Sequence, residues 1–226
     1  MHGRRGSAAG WLLGTLAGLA ILAIGADFGL RLWTEAWLAE EAQRALPLER
    51  RPEVNLHGFP FLVEFLGGVF DRAELHIEDL TEAGLTIERV RIEGRRVHFP
   101  RQAVFGQASE AIVRAEEATG AVEVSDDAVS RYLEANDLPL SVRFVGGRAR
   151  LSGDLEVGET TVAASGSAEL SVEGGELVIR DPGLSALELS IPLPTPVEGM
   201  RYEDLEIADG TATITASFDR LAFRVG

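Results

Sequence analysis

Histidines and paired carboxylates are the side chains of this sequence that have the most scope for catalysis. His76 and Glu78 form a His-x-Glu motif, but this motif serves zinc-dependent deamination only beside a pair of cysteines, and the chain has no cysteine. On a β-strand the two side chains would share one face, which favours a solvent-exposed strand surface. His57 and His98 each stand alone among apolar residues, a setting that favours structural roles. Adjacent acids are expected on the surface of a chain with a net charge of −15, and they occur at Glu40-Glu41, Glu116-Glu117 and Asp126-Asp127.

Motifs of the common catalytic and cofactor-binding classes do not occur in the sequence. It lacks the Gly-x-Ser-x-Gly turn of serine hydrolases, the His-Glu-x-x-His of zinc proteases, the phosphate loop, the dinucleotide-binding glycine motif and the calcium loop. We therefore predict that the protein is not an enzyme and that it uses no cofactor and no metal. An enzyme that acts on glycolipids through surface carboxylates is the weakest alternative, because no motif supports it.

The composition excludes several other classes of protein. All 21 basic residues are arginines, against 36 acids in 226 residues, so we predict no nucleic-acid partner. The absence of cysteine excludes disulfides, iron–sulfur clusters and thiol nucleophiles. Hydrophobic residues at 46% and charged residues at 25% are typical of a folded globular protein.

The N-terminus has the pattern of a membrane-targeting segment. Arg4 and Arg5 precede an uncharged apolar segment over 11–26. As a helix this segment would be about 24 Å long, slightly short of the roughly 30 Å of a bilayer's hydrocarbon core. We predict either an uncleaved signal anchor or a signal peptide cut before Ala26. Both place residues 27–226 on the extracytoplasmic, periplasmic side, and the signal anchor would hold them at the cell membrane. Since these residues hold all of the acids, further membrane contact would come from apolar surface.

Two kinds of periodicity divide the rest of the chain. Residues 26–46 have a broad apolar face at helical spacing, which indicates one long helix. From Arg72 onward, apolar residues alternate with polar ones in about ten short runs separated by turn residues, the pattern of antiparallel strands. Ser125 begins one short helix. The sequence therefore predicts an α+β fold with a signal segment over 1–26 and a single domain over 27–226.

The imbalance between helices and strands constrains the architecture. Two helices cannot cover the apolar face of about ten strands, so we expect the sheet to curl around the long helix or to fold on itself. Such a highly curved antiparallel sheet would enclose an elongated apolar interior with room for lipid tails. The alternative is an interior filled by side chains, in a non-catalytic structural or adaptor module of the cell envelope.

An aromatic cluster and an arginine cluster supply the candidate binding residues. Residues 54–68 combine three phenylalanines with glycines and a proline, which indicates either a tight turn that feeds the core or an apolar lip at the mouth of a cavity. The candidate lipid-binding residues are Phe59, Phe61, Leu62, Phe65, Leu66, Trp33 and Trp37. Arginine gives paired hydrogen bonds to phosphate, so the candidate headgroup residues are Arg89, Arg91, Arg95 and Arg96. The alternative role of these arginines is to solubilise the outer face of a strand.

The order of these features resembles one known family. The apolar N-terminus and the Trp- and Ala-rich helix are followed by short motifs at Gly58-Phe59-Pro60-Phe61-Leu62, Val122-Glu123-Val124-Ser125, Leu193-Pro194 and Asp209-Gly210-Thr211-Ala212-Thr213-Ile214. From about residue 28 to 222 the chain resembles the LmeA-like phospholipid-binding protein family of actinobacteria. The resemblance implies an exported, membrane-associated protein that binds phospholipid and supports envelope lipoglycan assembly, with envelope-assembly proteins as partners. It also implies a fold similar to tubular lipid-binding domains.

Overall fold

The computed structural model of the chain describes residues 7–46, 48–82, 84–100, 111–157, 160–180, 188–193, 195, 199–218 and 221–225. These residues form three helices, which are α1 (Ser7–Ala45), α2 (Phe61–Gly67) and α3 (Asp126–Ala135). They also form twelve strands, which are β1 (Glu53–His57), β2 (Val69–Glu82), β3 (Leu85–His98), β4 (Ala111–Ser125), β5 (Leu140–Val145), β6 (Arg148–Val157), β7 (Thr160–Glu173), β8 (Glu176–Arg180), β9 (Glu188–Pro192), β10 (Met200–Ala208), β11 (Thr211–Phe218) and β12 (Leu221–Val225).

The twelve strands form two antiparallel sheets. In the first sheet the strand order is β1-β2-β3-β4-β11-β10, and β12 extends it by pairing with the start of β4. The second sheet has the order β5-β6-β7-β8-β9. The α+β class is thus confirmed, but the strands are divided between two sheets where we predicted one sheet of about ten strands. The tubular curvature stays a prediction.

Helix α3 explains the division, because its side chains occupy the free edge of β5. The Ser130 hydroxyl accepts a hydrogen bond from the N–H of Val142 at 2.8 Å. The Asp126 carboxylate accepts one from the N–H of Phe144 at 3.1 Å. Unpaired N–H groups on a strand edge would otherwise be open to pairing with another strand. Strand β5 therefore cannot extend the first sheet through this edge, and it begins a second sheet with β6.

Two apolar clusters fill the interior. The larger lies between the two sheets and beneath α3, and its fully buried members include Val90, Val122, Phe144, Ile179 and Ile214. The smaller lies between the first sheet and the helices α1 and α2, and it contains Leu56, Phe61, Phe65, Phe70, Val97 and Phe99. The second sheet therefore covers one part of the first sheet's inner face, and the two helices cover another. Because the strands form two sheets, the second sheet buries apolar surface of the first that the helices alone could not cover.

Helix α1 runs without a break through the predicted boundary between residues 26 and 27. Its 39 residues give a length of about 58 Å. The side chains over 15–26 are exposed, and Asp27 is the first buried side chain of the described part. Beyond it the helix contacts β1, α2 and β12. The segment Thr15–Ala45 is long and apolar enough to cross a membrane, a property that it shares with signal sequences.

The inner side of α1 completes the free edge of β1. The Glu35 carboxylate accepts the N–H of Leu56 at 2.9 Å and pairs with the Arg31 guanidinium at 2.8 Å. Thr34 is fully buried and donates its hydroxyl to the Leu30 carbonyl at 2.8 Å. Because Arg31, Thr34 and Glu35 all have partners, α1 can pack closely against the edge strand.

Candidate functional site

Helix α2 is held at the turn of α1 where that helix meets the rest of the protein. Asp27 accepts the N–H of Phe61 at 3.0 Å through Oδ2 and the N–H of Leu62 at 2.6 Å through Oδ1. The first N–H groups of a helix have no partner within it, and a carboxylate satisfies them. At the other end Gly68, with a φ of 74°, donates its N–H to the Glu64 carbonyl at 2.7 Å. This seven-residue helix is therefore fixed at both ends.

One face of α2 belongs to the smaller core cluster. Phe61 stacks on Phe70 with ring centroids 5.2 Å apart, and Phe65 lies 6.1 Å from Phe99. Trp37 of α1 meets Phe99 edge to face at 6.1 Å. Three of the candidate lipid-binding residues, Phe61, Phe65 and Trp37, thus build the packing beneath the helix.

The opposite face of α2 is apolar and exposed to solvent. This face and the residue two positions before the helix form a surface that we call the apolar lip, which consists of Phe59, Leu62, Val63 and Leu66. Phe59 is 73% exposed. Within two turns of Asp27 on α1, three more large apolar side chains are exposed: Phe28, Leu32 and Trp33. Large exposed apolar patches mark contact with a membrane or with a partner.

Glu64 is the acidic residue of α2, and it lies between the lip residues along the chain. Its Oε2 atom is buried without a hydrogen-bond partner. Burial raises the pKa of the Glu64 carboxyl, and the negative charges of Asp71 and Asp27 raise it further, against a hydrogen bond from the Asp71 N–H that lowers it. Gly58 lies against the same carboxylate, since a Cβ built there would be 2.0 Å from Oε2. Its φ of 152° also favours glycine.

We expect Glu64→Gln to stabilise the protein at pH 7. A carboxyl whose folded pKa lies above its unfolded value loses stability as the pH rises through the folded pKa, because the unfolded chain gives up its proton first. Below the usual value of 4.5 both states are protonated and this cost is absent. The melting temperature of Glu64→Gln should therefore exceed that of the parent chain at pH 7, with the difference closing towards pH 4. Glu88→Gln, at an exposed acid of β3, is the control, and an equal rise there would contradict the assignment.

An apolar cleft lies between α1 and the first sheet, where the two core clusters meet. It has a cavity volume of about 100 Å³ and opens to solvent. Helix α1 supplies one wall through Leu38, Glu41, Ala42 and Ala45. The sheet supplies the floor and the other wall through Val54, Leu56, Phe70, Ala73, Glu74, Leu75, Ile92, Gly94, Val97, Phe99, Val113, Ala115 and Leu221. A Cβ at Gly94 would lie 3.1 Å from the Ala115 Cβ, so a larger residue there would narrow the cleft.

The four candidate headgroup residues are exposed on β3, whereas Val90 and Ile92 between them face the interior. Because successive side chains of a strand point to opposite faces, Arg89, Arg91 and Arg95 lie on the outer face of the first sheet, away from the cleft. Arg96 has a φ of 46°, which interrupts this alternation, and its side chain is also exposed. Three of the four arginines are paired with acids: Arg89 with Glu123 at 2.6 Å, Arg95 with Glu93 at 3.4 Å and Arg96 with Glu116 at 2.5 Å. Arg89 and Arg91 also share a polar surface hollow with Arg50, Arg51, Glu53, His76 and Glu78. The structure thus brings two of the four together with other arginines, and it separates all four from the apolar lip.

The histidines have carboxylate neighbours on the outer strand faces. His57 Nε2 lies 3.0 Å from Glu74, and His76 Nε2 lies 3.5 Å from the same side chain. His98 Nε2 lies 3.0 Å from Glu116. Among the residues that the structure describes, no group of three or more His, Asp or Glu side chains is placed to hold a metal ion.

Sequence reasoning missed Asp27 and the α1 wall of the cleft. The signal for Asp27 was its place as the first charge after the apolar segment. Leu38, Ala42 and Ala45 recur at the i, i+4, i+7 spacing of one helix face, which predicts a buried face without saying what lies opposite. Their partner surface, around Gly94, comes from strands that are distant in sequence.

The comparisons with known proteins give one result. A family model described as LmeA-like phospholipid-binding matches residues 25–217, which include Asp27, α2 and the apolar lip. No curated protein and no solved structure matches the chain. The match covers well over half of the sequence and confirms the resemblance drawn from its motifs. The chain belongs to the LmeA-like phospholipid-binding family.

Proposed function

We propose that the protein is exported and membrane-associated, and that it binds phospholipid without catalysing a reaction. Helix α1 anchors it, residues 27–226 form one domain on the extracytoplasmic side of the cell membrane, and a lipid acyl chain occupies the cleft. In this role it supports the assembly of envelope lipids or lipoglycans together with envelope-assembly proteins. Membership of the family supports lipid binding, and the apolar N-terminal helix is compatible with a signal anchor or a signal peptide.

The observation that carries the proposal is the apolar cleft between α1 and the first sheet. Apart from Glu41 and Glu74, its lining residues are apolar or glycine. At the wall formed by α1, Glu41 is paired with Arg44 at 2.7 Å, so its charge is compensated at the helix surface. Hydrocarbon gains free energy by leaving water for such a surface. Helix α1 carries both one wall of the cleft and the exposed apolar segment over 15–26, so one helix would connect the membrane to the binding site.

The size of the cleft limits how a lipid can be held. Its volume of about 100 Å³ is below the roughly 150 Å³ of an engineered protein cavity that holds one benzene molecule. A whole acyl chain is therefore not enclosed in this conformation. We infer that the chain lies along the open side of the cleft, or that α1 shifts outward from the sheet when lipid enters.

The candidate residues divide into two roles under this proposal. Phe61, Phe65 and Trp37 hold the wall of the cleft by packing beneath it, since they belong to or pack against the smaller core cluster. The exposed candidates Phe59, Leu62, Leu66 and Trp33 face the bilayer or its lipids. A headgroup role for Arg89, Arg95 and Arg96 would need phosphate to replace their acidic partners. Arg91 would contribute through the polar hollow that it shares with Arg89.

We expect Ala45→Trp to reduce lipid binding several-fold with little effect on folding. Ala45 lines the cleft and is exposed, so an indole ring there would fill apolar space without displacing buried side chains. Ala36 is also exposed on α1, and nine residues of separation place it on the opposite side of the helix. Ala36→Trp is therefore the matched control. Phospholipid bound per chain can be counted by native mass spectrometry of the full chain released from detergent micelles.

Equal lipid occupancy in Ala45→Trp, Ala36→Trp and the parent chain would show that the cleft is not the binding site. The absence of bound phospholipid from all three would favour the alternative, a structural or adaptor module of the cell envelope. The small volume of the cleft and the filled core between the two sheets are the observations that support this alternative. Cross-linking would then recover a protein partner and no lipid.

A further inference from the structure

The apolar lip exposes more hydrocarbon to solvent than is usual for the surface of a folded protein. Three of its side chains are more than half exposed, and Leu62 is 44% exposed. They project from a helix whose other face is locked into the core by the stack of Phe61 on Phe70. The lip therefore cannot turn inward without breaking that packing. The exposure is therefore a property of the folded state, and it indicates that the lip contacts an apolar surface outside the protein.

The position of the lip along α1 matches the surface of a bilayer. A helix needs 20 residues to cross a hydrocarbon core of about 30 Å, and residues 7–26 supply that number. Asp27 follows directly and holds the N-terminus of α2 through two hydrogen bonds. With 7–26 across the membrane, the lip would lie at the level where hydrocarbon gives way to headgroups. Phe28, Leu32 and Trp33 continue the exposed apolar surface on α1 at this level.

The charged residues around the lip indicate which force would hold the lip against a membrane. Residues 54–70 contain no arginine, and Asp27 and Asp71 add negative charge around Glu64 of α2. Arg31, at the level of Leu32 on α1, is paired with Glu35 at 2.8 Å. Attraction to anionic lipid needs basic residues close to the surface. Burial of hydrocarbon is the remaining driving force, and it does not depend on the charge of the lipid. The lip would therefore contact a lipid surface, whatever the charge of the lipid headgroups.

We propose that the apolar lip inserts into the interfacial layer of the outer leaflet as a second membrane contact beside α1. This contact orients the body, because two points of attachment fix its tilt. The inference rests on the proposed membrane association, and it adds a surface, a depth and a driving force to it. Leu62, Val63 and Leu66 sit in the hydrocarbon boundary, with Phe59 at the edge of α2.

The absence of cysteine from the chain makes the depth of single positions measurable. Full-length Leu62→Cys and Leu66→Cys are labelled with an environment-sensitive fluorophore and reconstituted into phosphatidylcholine vesicles, with and without phosphatidylglycerol. Val145→Cys is the matched control, because Val145 is an apolar residue with 47% exposure at the end of β5. Quenching by lipids with nitroxide-labelled acyl chains is compared with quenching by aqueous iodide, and flotation of the vesicles reports anchoring.

We expect the ratio of lipid quenching to iodide quenching to be several-fold higher at positions 62 and 66 than at position 145. The ratio should change little when phosphatidylglycerol is added. Chains that float while positions 62 and 66 are as open to iodide as position 145 would overturn the lip contact and leave the anchor standing. Chains that do not float would overturn both the anchor and the lip contact. Quenching that appears only with phosphatidylglycerol would overturn the apolar driving force.

Discussion

Replacing Phe61 by Ala should lower the free energy of unfolding by about 3–5 kcal/mol, the range for removing a buried phenylalanine. Phe61 is 1% exposed, stacks on Phe70 and lies 6.1 Å from Phe65, so the vacated space has aromatic walls that cannot close fully. Leu62→Ala is the matched control, because Leu62 is the next residue of the same helix and is 44% exposed. Urea unfolding of both variants in the same detergent measures the difference.

The comparison of neighbouring positions also tests which face of α2 is buried. A loss at Leu62→Ala equal to that at Phe61→Ala would contradict the orientation of the helix. Since the lip is held from below by this packing, we further expect Phe61→Ala to make the Leu62 and Leu66 amides exchange with deuterium faster. Leu62→Ala should leave the exchange of α2 close to that of the parent chain.

The orientation of α2 is a feature that the sequence could not decide. Phe61 and Phe65 have the i, i+4 spacing of one helix face, and Leu62 and Leu66 have the same spacing one position later. Both pairs are apolar, so periodicity alone supports either orientation. Phe70 and Phe99 make the choice, because their rings supply partners for the phenylalanines. The sequence interpretation of residues 54–68 offered a core turn or an apolar lip at the mouth of a cavity. The structure buries one face of α2 in the core and leaves the other face exposed.

Strands and helix ends were more accessible to prediction than the way the sheets assemble. The alternation at Leu75 and Ile77 predicted β2, and Ser125 predicted the start of α3, where its side chain accepts the Ala128 N–H at 3.2 Å. These are local signals. The separation of the two sheets depends on Ser130 and on contacts across 12 or more residues, which periodicity does not encode.

The predicted headgroup arginines show a second limit of prediction from the sequence. Arg89 and Arg91 were chosen by residue type, since clustered arginines suit phosphate. Alternation predicts that they face away from Val90 and Ile92, but it does not say which face of the sheet borders the cleft. That fact depends on α1 packing across the inner face, through contacts between residues far apart in sequence. Residue type identified the arginine cluster, whereas only the tertiary structure shows that the cluster lies on the face of the sheet opposite the cleft.

Asp27 joins α1 to α2 and so to the apolar lip, and Asp27→Ala should loosen this connection. The variant removes both acceptors for the N–H groups of Phe61 and Leu62, which lie in buried or half-buried surroundings. Hydrogen bonds to a charged group contribute about 1.5–3 kcal/mol each, so we expect local opening of α2 to become easier by about 3 kcal/mol or more. Hydrogen–deuterium exchange of the reconstituted full chain measures this at the amides of residues 61–67.

Two further variants separate the role of Asp27 from a general loss of charge on α1. Asp27→Asn keeps one carbonyl oxygen as an acceptor but loses the negative charge, so its exchange should lie between those of Asp27→Ala and the parent chain. Glu40→Ala removes an exposed acid that pairs only at the helix surface with Arg44, at 3.2 Å, and should change exchange at α2 little. If Glu40→Ala loosens α2 as much as Asp27→Ala, the two hydrogen bonds do not hold the lip. Faster exchange confined to α2 in Asp27→Ala would show that one carboxylate in the middle of α1 sets the position of the apolar lip.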